Sequence, residues 1–261
     1  MSQLALGTVQ FGSDYGISNP KGKVPIDEVG EILEFCKRTG IDVLDTAQGY
    51  GDSESVLGQF NLDSFKIVTK LMGGSSLELS LKNLNCESVY AVLFHRENEC
   101  TDESWKVFEA YKSQGMVKKI GVSVYSPDVL LQLLGHYPLD LVQLPMNMLD
   151  QRFVDILPVL KKHEVEVHVR SVFLQGLLLM DNIPSYFDPI VSVINKLPKP
   201  RLAHALQFVA NQDVSRIVVG VTSLKELRGI SSSIADSLEP VDYGSCRIDD
   251  QRFINPSLWK V

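Results

Sequence analysis

The sequence has few cysteines, and their spacing is not that of a metal site or a disulfide framework. Four occur among 261 residues, at Cys36, Cys86, Cys100 and Cys246. They form no Cys-x-x-Cys pair and lack the Cys/His spacing that is typical of zinc sites. Small secreted domains that depend on disulfides carry a much denser set of cysteines. We therefore expect neither a disulfide framework nor a bound metal.

The sequence also lacks long hydrophobic runs and an excess of basic residues. The longest apolar run, Val169 to Met180, is interrupted by Arg170, Ser171 and Gln175, and a membrane helix needs about 20 apolar residues. No basic segment precedes the first apolar stretch, as a secretory signal requires. The net charge is −7, whereas nucleic-acid binders depend on basic surfaces. We expect a cytoplasmic protein whose partners are neither nucleic acid nor membrane.

What the sequence contains is an alternation of short β-branched runs and longer amphipathic segments. Eight strands are predicted, at Leu4–Val9, Asp42–Asp45, Lys66–Lys70, Val89–His95, Lys119–Ser123, Leu139–Leu144, Val165–Ser171 and Arg216–Val219. Eight helical segments are predicted, at Ile26–Arg38, Glu54–Phe60, Ser76–Leu84, Asp102–Gln114, Pro127–Leu134, Phe153–His163, Pro189–Gln212 and Leu224–Ala235, and the seventh is expected to break near Pro198 and Pro200. This alternation implies parallel strands joined by right-handed crossovers. Eight units favour a closed (β/α)₈ TIM barrel, of the α/β class, over an open doubly wound sheet. They use up the chain, so we expect one domain over residues 1–261.

Ionisable residues end three consecutive predicted strands. Asp45, Lys70 and His95 close strands two, three and four, and barrels of this kind place catalytic groups at that end. Tyr50 follows Asp45 in the next loop. A neighbouring Lys70 ammonium is expected to lower the pKa of the phenol, with Asp45 holding the lysine charged. Such a phenol can protonate a carbonyl oxygen that accepts hydride, and His95 can hydrogen-bond the same oxygen.

The segment from Asp45 to Gly58, DTAQGYGDSESVLG, resembles the signature of the aldo-keto reductase family. Further matches follow in the family's order, at residues 68–70 (VTK), 93–96 (LFHR), 120–123 (IGVS), 142–143 (VQ) and 175–178 (QGLL). The resemblance implies a barrel that binds NAD(P)H without a Rossmann fold and transfers hydride between nicotinamide and an aldehyde or ketone. It makes Tyr50 the general acid, Asp45 and Lys70 the residues that tune it, and His95 the residue that orients the carbonyl.

The resemblance also implies a set of cofactor-binding residues. Ser123 and Gln143 match the pair that binds the nicotinamide carboxamide. The others are Gly7 and Thr8 after the first strand, Asp45, Arg170, then Ser171, Leu174, Gln175 and Gly176 over the pyrophosphate, and Gly220, Val221 and Thr222 at the adenosine phosphate. Lys225 is the cation on this last turn that can meet a 2′-phosphate, so NADPH is favoured and NADH is left open.

Two arginines depart from the family pattern or bear on the substrate. Arg170 stands where many members stack a tyrosine on the nicotinamide. Its guanidinium can stack on an aromatic ring, bind an anionic substrate, or pair with a nearby carboxylate. Together with Arg96, it suggests a polar or anionic small-molecule carbonyl substrate, such as a sugar or sugar derivative. Brief loops after strands four and seven predict an open substrate mouth.

Two other functions remain open at this stage. Some barrels of this family are cofactor-binding regulatory subunits with little turnover, so the fold alone does not decide the function. A lyase or isomerase that forms a Schiff base on Lys70 is a third hypothesis. The oligomeric state is not predicted.

Overall fold

Eight parallel strands close into a barrel in the computed structural model, which describes residues 3–236 and 238–260. The strands are β1 (Leu4–Gly7), β2 (Val43–Asp45), β3 (Lys66–Leu71), β4 (Val89–Phe94), β5 (Val117–Ser123), β6 (Leu141–Pro145), β7 (Glu166–Arg170) and β8 (Arg216–Gly220). Each strand pairs in parallel with the next, and β1 pairs with β8. The predicted (β/α)₈ TIM barrel is confirmed, and every predicted strand lies within two residues of an observed one.

The helices of the described residues lie between the strands and after β8. They are α1 (Val9–Gly12), α2 (Ile26–Thr39), α3 (Ser53–Leu57), α4 (Leu77–Leu84), α5 (Asp102–Ser113), α6 (Pro127–His136), α7 (Leu157–Lys162), α8 (Val191–Asn195), α9 (Arg201–Ala210), α10 (Leu224–Ser233) and α11 (Gln251–Ile254). Helix α2 shows why these segments fold locally, because Val29, Ile32 and Leu33 face the core and Gly40 ends the helix in the left-handed conformation. Within the described residues, none of these helices has the length and apolar character of a membrane span.

Alternation along the strands sends residues to two separate layers. Leu4, Leu6 and Leu44 belong to the large apolar layer that includes the helices, whereas Ala5 and Val43 belong to a small cluster formed by strand residues. Because side chains alternate with period two, a residue two positions after a member of the small cluster points the same way. Four polar residues stand in this relation, in the pairs Val43 and Asp45, Val68 and Lys70, Leu93 and His95, and Leu141 and Gln143. The strand period therefore directs these polar groups into the barrel, and their position at or near the carboxyl ends of parallel strands places them at one end of it.

The opposite half of the barrel contains a second polar group, which we call the lower polar cluster and which consists of Tyr90, Lys119, Glu166 and His168. The Glu166 carboxylate accepts hydrogen bonds from the Tyr90 hydroxyl at 2.6 Å and the Lys119 ammonium at 2.5 Å, and its other oxygen lies 2.8 Å from His168 Nε2. Burial by itself raises the pKa of Glu166, but the hydrogen bonds outweigh it and hold that pKa well below its usual range. The other three members of the cluster are thus all bound to the Glu166 carboxylate.

The segment after β7 differs in part from its prediction. The break expected near Pro198 and Pro200 is confirmed, since α8 ends at Asn195 and α9 begins directly after Pro200, but a 3₁₀ turn at Ser185–Ile190 also precedes α8. Thirty residues, 171–200, separate β7 from α9, so the expectation of a brief loop after strand seven is wrong. Prolines interrupt helical hydrogen bonding, and the apolar spacing of this segment continues across that interruption.

Candidate active site

A cavity of about 700 Å³ opens at the carboxyl end of the barrel. Of the residues predicted from the sequence, fourteen line it: Gly7, Thr8, Asp45, Tyr50, Lys70, His95, Ser123, Gln143, Arg170, Ser171, Gln175, Gly176, Gly220 and Thr222. Four others do not line it. Leu174 and Val221 are buried, and Arg96 and Lys225 are exposed. The structure therefore brings all four predicted catalytic residues to one cavity, but it leaves Arg96 and Lys225 outside it.

Lys70 lies at the centre of the polar groups in this cavity, although only 1% of its surface is exposed. Its ammonium donates to both Asp45 oxygens at 2.8 Å and to the Thr46 carbonyl oxygen at 2.9 Å, and it lies 3.3 Å from the Tyr50 hydroxyl. Burial lowers the pKa of Lys70, and the charge of Asp45 opposes that effect. The buried Asp45 carboxylate compensates the charge of the lysine and so offsets the free-energy cost of burying it.

The backbone around Tyr50 packs closely against the end of α1. A side chain on Gly12 would come within 1.8 Å of the Tyr50 carbonyl oxygen, and Gly51 has φ +59° beside the Gly12 carbonyl. Only glycine fits both positions without strain. Burial, and then the charge of Asp45, raise the pKa of the Tyr50 phenol well above its usual value. This direction is opposite to the prediction, because burial and the charge of Asp45 outweigh the lowering effect of the nearby positive charge of Arg170.

His95 completes the group that we call the upper polar cluster, which consists of Asp45, Tyr50, Lys70 and His95. Its ring meets the Tyr50 ring edge-on, with 5.7 Å between centroids. Burial, and then the charge of Lys70, lower the pKa of His95 to about 4, so the imidazole is neutral at neutral pH. Its Nδ1 is buried without a hydrogen-bond partner among the described residues. A neutral imidazole in this position can hydrogen-bond a ligand without adding charge to the cavity.

Gln143 bonds to the upper polar cluster and also has an unused acceptor. Its Nε2 donates to Asp45 Oδ1 at 2.6 Å, while Oε1 is buried and has no partner within the described part of the chain. Buried acceptors without a partner are rare in folded proteins. A carboxamide donor from a bound nicotinamide fits this atom, and Ser123 lies beside it in the parallel register of β5 and β6. The residues present therefore fit the group that the sequence implied.

Arg170 stacks on an aromatic ring, but the ring belongs to the chain itself. Its guanidinium carbon lies 4.0 Å from the centroid of Tyr125, and Nη2 donates to the Val124 carbonyl oxygen at 3.1 Å. Within residues 3–236 and 238–260, no carboxylate lies within ion-pair distance of Arg170. The positive charge of this half-buried side chain is thus uncompensated inside the cavity.

The segment over the cavity mouth carries backbone strain. Ser171, Leu174 and Gln175 have φ values of +61°, +49° and +54°, a conformation that residues other than glycine rarely adopt. The Gln175 carbonyl accepts from the Ser18 hydroxyl at 3.2 Å, which ties this segment to the loop after β1. Strained residues of this kind cluster at ligand-binding sites.

Sequence reasoning missed several residues that line the cavity. Gln10, Tyr15, Tyr125, Phe173 and Glu226 all contribute to its walls. The parity of the strands cannot identify them, because they lie in loops or on α1 and α10 rather than at strand ends. The one available signal was the position of Glu226 in the first turn of a helix, directly after the loop that follows β8.

Comparisons with known proteins agree with this geometry. The model of the Aldo/keto reductase family matches residues 3–248. The NADH-specific methylglyoxal reductase of Escherichia coli is 25% identical over an aligned length of 219, and the match covers 68% of this chain and 65% of that protein. The uncharacterized oxidoreductase YqkF of Bacillus subtilis is 24% identical over an aligned length of 203, and the match covers 68% of this chain and 63% of that protein. The chain thus covers less than two thirds of the length of both relatives.

Solved structures show the same fold. The holo form of an aldo-keto reductase from Bacillus halodurans has a TM-score of 0.75 at 18% identity, over 99% of this chain and 94% of that chain. A glycerol dehydrogenase from Gluconobacter oxydans has a TM-score of 0.68 at 22% identity, over 92% and 88%. The family match spans most of the chain and includes every strand of the barrel. The chain belongs to the aldo/keto reductase family.

Proposed function

We propose that this chain is an NAD(P)H-dependent oxidoreductase that interconverts a small aldehyde or ketone with its alcohol, acting as a single barrel domain. The observation that carries the proposal is the position of the buried Lys70 ammonium. It is hydrogen-bonded to Asp45 and lies 3.3 Å from the hydroxyl of Tyr50, which lines the cavity. Burying a lysine and a carboxylate costs free energy, and buried groups with shifted pKa values are concentrated at catalytic sites. The arrangement therefore favours an enzyme over a binding module.

In the direction of reduction, Tyr50 donates its phenolic proton to the carbonyl oxygen as that oxygen gains negative charge. A reduced nicotinamide dinucleotide held beside Gln143 and Ser123 would supply the hydride when bound. The high pKa of the phenol keeps the proton in place until the oxygen becomes basic. Lys70 then stabilises the phenolate that Tyr50 leaves behind, and Asp45 holds the ammonium in position. Neutral His95 hydrogen-bonds the same carbonyl oxygen and orients it.

The cofactor would be held by polar atoms of the cavity, two of which have no hydrogen-bond partner among the described residues. Gln143 Oε1 and Ser123 would bind the carboxamide, and Gln10 Oε1 is a second buried acceptor without a partner in the described residues. The sequence favours NADPH through Lys225 and leaves NADH open. The relative from Escherichia coli is described as NADH-specific, which supports considering both nucleotides.

The substrate is proposed to be a small carbonyl compound that carries a polar or anionic group. Arg170 supports this, because its charge faces the cavity without a carboxylate partner in the described part of the chain. A sugar or sugar derivative fits this description, and so does a small dicarbonyl of the kind named for the Escherichia coli relative. Arg96 is exposed outside the cavity, so it gives the proposal no support.

Turnover on a carbonyl panel tests the proposed function. We expect oxidation of reduced nicotinamide cofactor with small polar or anionic aldehydes and ketones, and weak rates with hydrophobic aldehydes. Replacing Arg170 with Met should raise KM about tenfold for anionic substrates and leave KM for neutral ones nearly unchanged, since one charge-assisted hydrogen bond is lost. Cofactor binding without turnover on any carbonyl or alcohol would instead support the regulatory barrel.

A further inference from the structure

The net charge of the side chains that line the cavity differs in sign between its two ends. Its two cationic side chains, Lys70 and Arg170, both lie near the Tyr50 phenol, whose pKa responds to Arg170. At the α10 end the wall includes Glu226, together with the uncharged Thr222, Gly229 and Ile230 (lining residues of the same cavity). Among the described residues, the ionised side chain that the cavity presents at this end is therefore a carboxylate.

The Glu226 carboxylate is fixed in place by the loop that precedes its helix. One oxygen accepts from the Thr222 backbone N–H at 2.7 Å, and the other accepts from the Thr222 hydroxyl at 2.8 Å. Each oxygen keeps a lone pair for one further donor. Glu28 occupies the Leu224 N–H at 2.6 Å, so two carboxylates already sit at the start of α10, where an anion would otherwise be favoured.

The cavity extends from Tyr50 to α10, so the part of a dinucleotide that would lie against Glu226 can be inferred. This inference rests on the proposed function. With the nicotinamide beside Tyr50, an extended dinucleotide in the same cavity directs its adenosine toward α10. Gln10 gives an independent indication of a ligand on that path. It is 9% exposed, its Oε1 has no partner among the described residues, and a side chain on Gly220 would come within 2.6 Å of that atom.

We propose that Glu226 makes this chain select NAD(H) over NADP(H). A ribose 2′-hydroxyl can donate a hydrogen bond to the carboxylate, as acidic residues accept from this hydroxyl in other dinucleotide sites. A 2′-phosphate in the same place brings negative charge against negative charge. The cations of α10 do not offset this, since Lys225 is exposed outside the cavity lining and Arg228 lies 6.0 Å from the Phe35 ring. The preference is the reverse of the one that Lys225 suggests in the sequence.

Calorimetric titration with NAD⁺ and NADP⁺ tests the proposal without turnover. We expect the unmodified chain to bind NAD⁺ at least about tenfold more tightly, which corresponds to the repulsion of one charge pair near a protein surface. Glu226→Gln keeps an acceptor for Thr222 and removes the charge, so the two dissociation constants should become nearly equal. Glu226→Lys should reverse their order. Glu109→Gln, on the exposed face of α5, is the matched control and should leave the ratio unchanged.

Three outcomes would count against selection by Glu226. Equal or tighter binding of NADP⁺ by the unmodified chain overturns it, and so does a ratio that Glu226→Gln does not change. If neither nucleotide binds, the proposed function itself is wrong and the inference falls with it. The first two results leave the proposed function standing, because a nicotinamide nucleotide still binds.

Discussion

The two ends of the barrel each hold a lysine, a carboxylate and a tyrosine, but they use the tyrosine in opposite ways. In the lower polar cluster, Tyr90 donates its hydrogen to the carboxylate that also binds Lys119. In the upper polar cluster, the Tyr50 oxygen instead receives a contact from Lys70, so the phenolic hydrogen is not committed to Asp45. The same three residue types therefore make a structural support at one end and, in the function we propose, a proton donor at the other.

The lysines differ in burial as well. The Lys70 side chain is 1% exposed, and the Lys119 side chain is 32% exposed. Solvent screens an ion pair that water reaches, whereas an ion pair excluded from water depends on its partner for almost all of its charge compensation. The costly arrangement is thus found at the end that opens into the cavity, which indicates that chemistry rather than stability maintains it.

Removing the two phenolic hydroxyls should separate the clusters most sharply. We expect Tyr50→Phe to lower kcat by about 10²- to 10⁴-fold, the usual contribution of a general acid, with cofactor affinity nearly unchanged. Tyr90→Phe, the matched control, should leave kcat within about twofold, because its hydroxyl only supports Glu166. Steady-state rates and cofactor titration of both variants measure this. Comparable losses of kcat in the two variants would show that the clusters do not differ in function.

Replacing each lysine with methionine should separate the clusters by stability. Lys70→Met leaves Asp45 buried without its cation, and we expect a loss of about 3–5 kcal/mol in the free energy of unfolding. Lys119→Met removes a partly exposed lysine and leaves Glu166 bound to Tyr90 and His168, so we expect a smaller loss, of about 1 kcal/mol. Denaturant unfolding gives both values. A Lys119 effect as large as that of Lys70 would contradict the assignment of different electrostatic environments. Lys70→Met should also lose most of its turnover.

The pH dependence should show the smallest effect, because His95 is already neutral. Its pKa lies near 4, below the usual value of about 6.5, so it stays unprotonated through the range in which most histidines titrate. We therefore compare the pH profiles of kcat/KM for the unmodified chain and for His95→Gln. Between pH 6 and 7 we expect the two profiles to have the same shape. On unfolding, His95 regains its usual pKa and binds a proton, so its neutral burial costs stability as the pH falls below about 6.5. A break near pH 6.5 that disappears in His95→Gln would overturn the neutral assignment.

The fold and the upper polar cluster could be predicted because both depend on local period. Asp45, Lys70 and His95 stand at the carboxyl ends of apolar strands, so parity turns them into the barrel and the parallel order of the strands brings them to the same end. The direction of the Tyr50 pKa shift could not be predicted, because it depends on how far burial and the charge of Asp45 outweigh the charge of Arg170. That balance is a sum over atoms from several strands.

The roles of Arg170 and Glu226 also lie beyond the sequence pattern. Arg170 could be placed at the mouth, but not its stacking on Tyr125, because the two residues come from different strand ends. In the sequence, Glu226 is simply an acidic residue in the first turn of a predicted helix. The structure adds that its carboxylate is hydrogen-bonded to Thr222 at the wall of the cavity. Lys225, its neighbour in sequence, suggested the opposite cofactor preference.

The most direct test of the proton donor is the solvent deuterium isotope effect on a single turnover of enzyme-bound reduced cofactor and carbonyl substrate. We expect hydride transfer in the unmodified chain to be slower in D₂O, and the residual reaction of Tyr50→Phe to lose that dependence. An isotope effect of equal size in both proteins would show that the transferred proton does not come from Tyr50.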